Sequence, residues 1–366
     1  MRDERRLGTV IGPIGTAVPE SGLDLERSFE IADLLSPEEV PRPVLRRLHE
    51  RAGIDTRRVS VIAPDGSIPL YGIGAPGHPS NPRRPGTAER MQAYADAAVD
   101  LAAEAAGHAL EGALTPAESI THLVTASCTG FGAPGVDLAL VDRLRLPASV
   151  RRTNVGFMGC HAAVNALAVA RALAEESPAN RVLVVCVEVS TVHFHHDVRM
   201  DRLISNILFA DGAAATVVGG PGGDRGPERL TATASRLIPD SRGAMAWEVG
   251  DHGFEMTLAA EVPDLIASVL RGWVDEVLEE HGLRRTDIGG WAIHPGGPRV
   301  IDAVMNALDI PPEEVLTSRE ILRTRGNMSS ATLLHIIERF QRDSVPRPWV
   351  GLAFGPGLAG ELVLIR

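Results

Sequence analysis

The chain of 366 residues contains no lysine, so all 36 of its basic residues are arginine. Without lysine no Schiff base can form on a side chain, and neither a Walker-type phosphate loop nor a kinase-type nucleotide site can be completed. Acidic residues number 47, which gives a formal charge of -11 and makes nucleic acid a poor partner. These absences exclude several large classes of enzyme and binding protein.

Cysteine and long apolar runs are also scarce. Cys128, Cys160 and Cys186 are an odd number without disulfide-framework or metal-ligand spacing, which favours a reducing compartment and predicts a cytoplasmic protein. No stretch reaches the roughly 18 uninterrupted apolar residues that span a bilayer, so we expect no membrane association. Asp3 and Glu4 lie among the first arginines, which is not typical of a signal peptide.

Strand and helix patterns alternate along the chain, as in a layered α/β fold. Apolar runs at 122–128 and 181–189 predict buried strands, and the alanine-rich segment 87–110 predicts a long helix capped by Thr87. The glycine-rich stretch 219–226 predicts a linker. It divides the chain into halves at 1–220 and 227–366, and the second half repeats the strand and helix style of the first.

Cys160 follows the run Gly-Phe-Met-Gly at the predicted end of a strand and the start of a helix over 160–174. The dipole and free amide groups of a helix N-terminus stabilise a thiolate, which suits a nucleophile. The alternative is that the cysteine is a small buried hydrophobe. Cys186, inside VLVVCV, fits that alternative well.

A thiolate nucleophile needs a partner for its proton and donors for the oxyanion that it creates. His294 in IHPGGP ends an apolar strand, and Asn327 in GNMSSA precedes a predicted short helix. Each residue taken singly is also typical of a loop or a helix cap. Their spacing in the sequence does not decide between these readings.

The motifs TAERM, GFMGC, LFADGAAA, IHPGGP, GNMSSA and AFGPG occur in this order. In this combination the chain, from about residue 16 to 366, resembles the type III polyketide synthases, which include the chalcone and stilbene synthases and their bacterial relatives. The resemblance implies a thiolase-like α/β fold, with two pseudo-duplicated αβαβα halves in five layers, and a homodimer.

The activity implied by the resemblance is that of an acyltransferase. It would condense an acyl-CoA starter with malonyl-CoA units by decarboxylative Claisen condensation, and then cyclise the chain to an alkylpyrone, resorcinol or related aromatic. CoA thioesters would be substrates, and no metal, other cofactor or carrier protein would be needed.

By the same resemblance, Cys160 would carry the acyl chain, and His294 and Asn327 would hydrogen-bond the thioester carbonyl of malonyl-CoA. His294 would also hold Cys160 as an imidazolium–thiolate pair for loading. Phe209 in LFADG matches the family's gatekeeper phenylalanine between the CoA tunnel and the internal cavity. The second gatekeeper position falls on Met256, which departs from the usual phenylalanine.

The resemblance also places the remaining binding residues. Arg47 and Arg51 align with two of three basic positions that bind the CoA phosphates, and Val44 occupies the third. In the pocket, Ser329 matches the family. Three positions depart from the plant pattern, where threonine, threonine and glycine are usual: Cys128, His193 and Trp247.

These departures leave the substrate and product open. Trp247 and His193 are expected to reshape the pocket, and Cys128 is interpreted as a pocket wall, an auxiliary thiol or a buried residue. The starter, the number of extensions and the mode of ring closure therefore stay undetermined at the level of the sequence.

Two other functions remain as alternatives. One is a β-ketoacyl-carrier-protein synthase of the fatty-acid type, which shares the fold and a Cys, His, Asn triad. The other is a catalytically silent subunit that stabilises a partner synthase. GNMSSA and AFGPG favour the polyketide family over the first alternative, and the presence of all three triad residues argues against the second.

Overall fold

The computed structural model describes residues 9–37, 39–219 and 228–366. The strands are β1 Thr9–Ile11, β2 Gly15–Ala17, β3 Gly22–Asp24, β4 Thr56–Arg58, β5 His122–Ser127, β6 Arg151–Gly156, β7 Val182–Val189, β8 Asp211–Val218, β9 Glu228–Leu237, β10 Met245–Gly250, β11 Gly253–Leu258, β12 Gly290–Ile293, β13 Trp349–Gly355 and β14 Ala359–Ile365. The α-helices are α1 Leu25–Leu35, α2 Arg42–Ala52, α3 Thr87–Gly112, α4 Val136–Leu144, α5 Ala162–Glu176, α6 Met200–Leu208, α7 Val262–Glu280, α8 Pro298–Leu308, α9 Leu316–Arg325 and α10 Ser330–Asp343.

Ten of the strands form one mixed sheet. Its order is β12-β13-β14-β9-β1-β8-β7-β5-β6, and β2 pairs separately with β8. The short strand β1 pairs with both β8 and β9, so it joins a half built from β5 to β8 to a half built from β9 and β12 to β14. Parallel pairing occurs within each half, between β5 and its two neighbours and between β12 and β13.

Side chains alternate between the two faces of each central strand, which produces a layered core. In β7, Val184 and Cys186 face the central helices α5 and α10, while Val185 and Val187 face α3. In the other half, α7 and α8 cover the outer face of β13 and β14. The layers are therefore α3, sheet, α5 with α10, sheet, and α7 with α8, which confirms the expected five-layer α/β architecture. Cys186 is a core residue, as its sequence context predicted.

The central helices are buried on almost every side, and their sequences fit that position. Alanine dominates the buried face of α5, so the helix can approach both halves of the sheet closely. The predicted short helix after Asn327 is wrong in length, because α10 runs for 14 residues between the sheets. Cys160 also precedes its helix, in a 3-10 turn at Gly159–His161.

The long helix predicted at 87–110 is confirmed as α3, but its predicted cap is wrong. Gly86 is the N-cap residue and makes no side-chain capping bond. The Thr87 hydroxyl instead donates to the carbonyl of Gly250, and thereby ties α3 to the β10–β11 hairpin. The linker prediction at 219–226 lies outside the described residues except for Gly219, so the division into halves at 1–220 and 227–366 stays a prediction.

One hairpin bears on the location of the site. Among the described strands, β10 and β11 pair only with each other, and Trp247 lies directly opposite Met256 in their register.

Within the described ranges, no helix combines the length and apolar character needed to cross a membrane.

Candidate active site

Cys160 lies in the turn between β6 and α5, close to the loop after β13. Gly159 has φ of +72°, and a Cβ added there would lie 2.4 Å from Cδ of Pro356. Glycine is therefore required to bring the turn against this loop. The Cys160 side chain is directed inward and the residue is only 7% exposed.

His294 and Asn327 reach the same cavity from the other half of the chain. His294 follows β12, where its amide donates to the carbonyl of Leu352 at 2.8 Å, and Asn327 lies between α9 and α10. Both residues are 1% exposed. Together with Cys160 they line one cavity of about 20 Å³, which has room for about one water molecule. The structure thus brings together three residues that are far apart in the sequence.

The amide of Asn327 has a defined orientation. Its Oδ1 accepts a hydrogen bond from the backbone N–H of Ser329 at 2.9 Å. Its NH₂ group is therefore available as a donor, and a hydrogen bond from it opposes the rise that burial causes in the pKa of the Cys160 thiol. The arrangement can stabilise negative charge on sulfur or on a carbonyl oxygen bound beside it.

The imidazole of His294 has no hydrogen-bond partner on either ring nitrogen in the described part of the chain. Burial, with a smaller contribution from His161, lowers the pKa of His294 to about 3. Burial also raises the pKa of Cys160 to about 12, although the Ser329 hydroxyl, 3.6 Å from its sulfur, opposes this. Among the described residues no hydrogen bond joins His294 to the Cys160 thiol, and the imidazolium–thiolate pair stays a prediction. Buried unpartnered nitrogens are well suited to bind polar ligand atoms.

Phe209 and Met256 lie at the boundary between this cavity and a second one. They line the catalytic cavity and also a neighbouring space of about 20 Å³, bounded on its far side by Cys128, Trp247 and Ser329. Cys160, Phe209 and Met256 form a small apolar cluster. Phe209 and Met256 therefore line both small spaces beside Cys160 but not the open groove described below, and their gatekeeper role stays a prediction.

Trp247 and His193 have different relations to the inner space. Trp247 lines it, and its Nε1 donates to the carbonyl of Cys128 at 2.7 Å. His193 lines neither cavity: its Nε2 donates to the Thr129 carbonyl at 2.7 Å and its Nδ1 accepts from the Phe254 amide at 3.0 Å. Burial lowers the pKa of His193 to about 3. His193 is a neutral, fully bonded support behind Trp247.

Glu188 was not identified from the sequence, yet its buried carboxylate organises the inner wall. It accepts hydrogen bonds from the Cys128 amide at 3.0 Å, from the Thr129 hydroxyl at 2.7 Å and from the Ser330 hydroxyl. Burial raises its pKa and that of Cys128, whose sulfur lies 3.2 Å from the Ser329 hydroxyl. A single acid inside the apolar run VLVVCVEV was the signal that could have revealed it.

An open apolar groove of about 780 Å³ leads from the catalytic cavity to the surface and shares Leu208 and Leu258 with it. Arg51, Arg199 and Arg299 lie along the groove. Arg47 is exposed on α2 and does not line it. A separate cavity of about 710 Å³ lies between α7 and α8 and contains none of the candidate residues.

Comparison with known proteins identifies the family. The model for the N-terminal domain of chalcone and stilbene synthases matches residues 80–222, and the model for their C-terminal domain matches residues 229–366. A 1,3,6,8-tetrahydroxynaphthalene synthase from Streptomyces peucetius subsp. caesius is 34% identical over 98% of this chain and 93% of its own length. The alpha-pyrone synthesis polyketide synthase-like Pks18 of Mycobacterium tuberculosis is 34% identical over 88% of this chain and 82% of its own length.

Solved structures agree with these relatives. The C-terminal type III polyketide synthase domain of Steely1 from Dictyostelium superposes with a TM-score of 0.89 at 28% identity, covering 98% of this chain and 99% of that one. PKS-I from the brown alga Ectocarpus siliculosus gives 0.90 at 29% identity and covers 98% of both chains. The chain belongs to the chalcone and stilbene synthase family. It has the thiolase-like fold of that family and is a type III polyketide synthase.

Proposed function

We propose that the protein transfers an acyl group from acyl-CoA to Cys160, extends it with malonyl-CoA and releases a cyclic polyketide, without a carrier protein. The observation that carries this proposal is the convergence of Cys160, His294 and Asn327 on one buried cavity, where neither ring nitrogen of His294 is hydrogen-bonded to any described residue. An acyl-accepting thiol and two donors for a carbonyl oxygen are the groups that the reaction requires.

Loading begins when the Cys160 sulfur attacks the thioester carbonyl of the starter. The thiol proton passes to His294, and the tetrahedral oxyanion collapses to an acyl-enzyme as the CoA thiolate leaves. His294 then returns the proton to CoA. The proton transfer accompanies the attack, because burial disfavours charge on both side chains beforehand.

Extension uses the same donors on malonyl-CoA. His294 and Asn327 hydrogen-bond its thioester oxygen, carbon dioxide leaves, and the electrons of the broken bond form an enolate. Phe209 and Met256 provide an apolar wall that disfavours the malonyl carboxylate and so favours its loss. The enolate carbon attacks the acyl-Cys160 thioester, and the Cys160 sulfur leaves as the new carbon–carbon bond forms.

The groove at the surface is the proposed entry for CoA. Its apolar lining suits a thioester arm, and Arg51 at the groove can bind phosphate by bidentate hydrogen bonds. Arg47 remains a proposed contact for the phosphates outside the groove. We propose that the reaction requires no metal and no other cofactor.

The product is proposed to be an alkylpyrone, a resorcinol or a related ring. One relative is named for a tetrahydroxynaphthalene and another for alpha-pyrone synthesis, so relatives of similar identity differ in ring type. The inner wall formed by Trp247 and Cys128 is proposed to select among these outcomes.

A cytoplasmic homodimer is the proposed assembly. Phe131, Phe157 and Met158 are exposed apolar side chains near the Cys160 turn, and pairing with a second copy would remove them from water. Light scattering of the purified protein tests the dimer, and a monomer at micromolar concentration would contradict it.

The activity is tested by incubating purified protein with labelled malonyl-CoA and acyl-CoA starters from acetyl to long chain, without carrier protein. We expect cyclic polyketides by mass spectrometry. Turnover that requires malonyl-carrier protein would indicate a β-ketoacyl synthase instead. No turnover, with Cys160 unacylated, would favour a silent subunit.

A further inference from the structure

Arg57 in β4 is a buried cation beside the proposed active site. It is 2% exposed, and its guanidinium makes two hydrogen bonds: Nη1 donates to the Phe209 carbonyl at 2.7 Å and Nη2 to the Ser28 hydroxyl at 3.1 Å. Its Nε has no partner in the described part of the chain. Burial lowers the pKa of Arg57 to about 10, so the side chain is charged at neutral pH.

A neighbouring acid does not account for this arginine. Asp211 attracts it through space, but the Asp211 carboxylate is occupied by other donors: the Ser60 amide at 2.6 Å, and the Thr191 amide and hydroxyl at 2.9 and 2.6 Å. Burying a cation without a direct ion pair costs free energy. Violations of this kind concentrate at functional sites.

The carbonyl that Arg57 binds belongs to the Phe209–Ala210 peptide, which is also hydrogen-bonded to the backbone of Asn327. The N–H of the same link, on Ala210, donates to the Asn327 carbonyl at 2.8 Å. The backbone N–H of Asn327 in turn donates to the Leu208 carbonyl at 2.9 Å. The peptide is therefore held by Arg57 on its oxygen and by Asn327 on its nitrogen.

Packing at Gly326 strengthens this connection. A Cβ added at Gly326, whose φ is +78°, would lie 3.0 Å from Cβ of Arg57 and 2.8 Å from Cβ of Ala210. The turn that contains Asn327 is thus packed directly against Cβ of Arg57. A shift of Arg57 would be transmitted to both Phe209 and Asn327.

We propose that Arg57 is a positioning residue, which fixes the Phe209 ring and the Asn327 amide relative to Cys160 through its bond to the Phe209 carbonyl. It touches no reacting atom. The inference rests on the proposed function, since it assigns Phe209 and Asn327 to the malonyl-CoA step. Loading needs the thiol and His294, so it should depend on Arg57 much less than extension does.

The test compares Arg57→Lys with Arg90→Lys. Lysine keeps the charge but cannot donate to both the Phe209 carbonyl and Ser28 from one planar group. Arg90 is equally buried and also donates to main-chain carbonyls, those of Pro85, Val192 and Phe194. None of these carbonyls belongs to the Phe209–Ala210 peptide. Arg90→Lys therefore controls for the general cost of replacing a buried arginine.

Three quantities are measured for each variant: the Tm, the rate of Cys160 acylation by acyl-CoA, and kcat and KM for malonyl-CoA. For Arg57→Lys we expect kcat to fall 10- to 100-fold, with acylation and KM within threefold of wild type. Arg90→Lys should lower the Tm but keep kcat within threefold. Equal losses of acylation and kcat in Arg57→Lys, an unchanged kcat, or the same pattern in both variants would overturn the inference.

If Arg57→Lys does not fold, Ser28→Ala decides, because it removes only one partner of the guanidinium. We expect a two- to fivefold fall in kcat with unchanged acylation, and an unaffected kcat would overturn the inference. The wild type in the same series separates the two proposals. A wild type that forms no polyketide defeats the proposed function and this inference with it, whereas an active wild type with unaffected variants defeats this inference alone.

Discussion

The reactive side of the cavity and its inner wall are built from different parts of the fold. Cys160 and Asn327 lie just before the central helices α5 and α10, His294 lies at the end of β12, and all three residues are buried. Trp247 and Met256 lie opposite each other on a hairpin that pairs only with itself. The core can therefore hold the chemistry constant while the hairpin changes the shape of the space that receives the growing chain.

The two histidines show the same contrast in their bonding. Among the residues that the structure describes, His294 on the reactive side has no partner for either ring nitrogen, whereas His193 behind the wall has a partner for each. Unpartnered buried nitrogens cost stability and are free to bind a substrate, while satisfied ones stabilise the fold. Both histidines are buried, yet His294 is available to bind substrate and His193 stabilises the fold.

Removing the nucleophile should have the largest effect. Cys160→Ala should lower condensation by at least about 10⁴-fold, because no acyl-enzyme can form. Some decarboxylation of malonyl-CoA should persist, since His294 and Asn327 remain. Cys186→Ala changes a core cysteine that lines neither small cavity, serves as the control and should keep condensation within about threefold. Polyketide formation by Cys160→Ala would contradict the assignment.

Removing a carbonyl donor should have the next largest effect. We expect His294→Gln and Asn327→Ala each to lower malonyl-CoA decarboxylation by about 10²- to 10³-fold, the loss typical of one oxyanion donor. Release of labelled carbon dioxide measures the step. His108→Gln, at an exposed position on α3, is the matched control. Decarboxylation at the wild-type rate in either site variant would remove that residue from the mechanism.

Opening the inner wall should change the product more than the rate. Trp247→Ala removes the indole that fills the inner space and is expected to allow one or more additional malonyl units or a larger starter. Trp247→Phe retains most of the volume and should keep the wild-type product. Mass spectrometry of the products compares the two. The same product spectrum from both variants would show that Trp247 does not limit the space.

The difference in bonding between His193 and His294 predicts that replacing His193 lowers stability, whereas replacing His294 lowers activity. His193→Asn should lower the free energy of unfolding by about 2–4 kcal/mol, since two buried hydrogen bonds are lost. His294→Gln should change it by less than about 1 kcal/mol while removing activity. Denaturant titrations measure both values. A larger stability loss for His294→Gln than for His193→Asn would reverse the comparison.

Buried histidines also predict a loss of stability in acid. Burial lowers the pKa of His193, His294 and His335 to about 3, whereas unfolded histidine titrates near 6.5. The unfolded chain then binds more protons between these values, so the stabilisation is complete above about pH 6.5 and is lost as the pH falls toward 3. His193→Asn should reduce the slope between pH 6 and 4 by about 1.4 kcal/mol per pH unit. An unchanged slope would indicate a charged His193.

The smallest effect is expected at the second gatekeeper position. Met256→Phe replaces a flexible thioether with a rigid ring and should shift starter preference toward smaller acyl groups by a few fold in kcat/KM. Met245→Leu, beside it in the cavity lining, is the control for side-chain volume. Identical starter profiles for Met256→Phe and wild type would show that this position does not select the starter.

The extent of sequence-based prediction differed between the same two regions. Buried strands such as β7, and the helix α3, followed from apolar runs and alanine content because their side chains face a continuous core. The hairpin β10–β11 was missed, since its short strands pair only with each other and carry mixed side chains. Glu188 was missed because the role of a single acid in a strand depends on its hydrogen-bond donors, here Cys128, Thr129 and Ser330, which only the structure shows.

The sequence alone determined the family, the enzyme class and the layered α/β fold, because ordered motifs and periodic patterns are local properties of the chain. Only the tertiary structure decided which residues share a cavity. It placed His193 behind the wall, left Arg47 outside the groove, and set Arg57 against the Phe209–Ala210 peptide, whose N–H donates to the Asn327 carbonyl. The bonds of His193 to Thr129 and of Arg57 to Phe209 join segments 64 and 152 residues apart, and no local pattern encodes such distances.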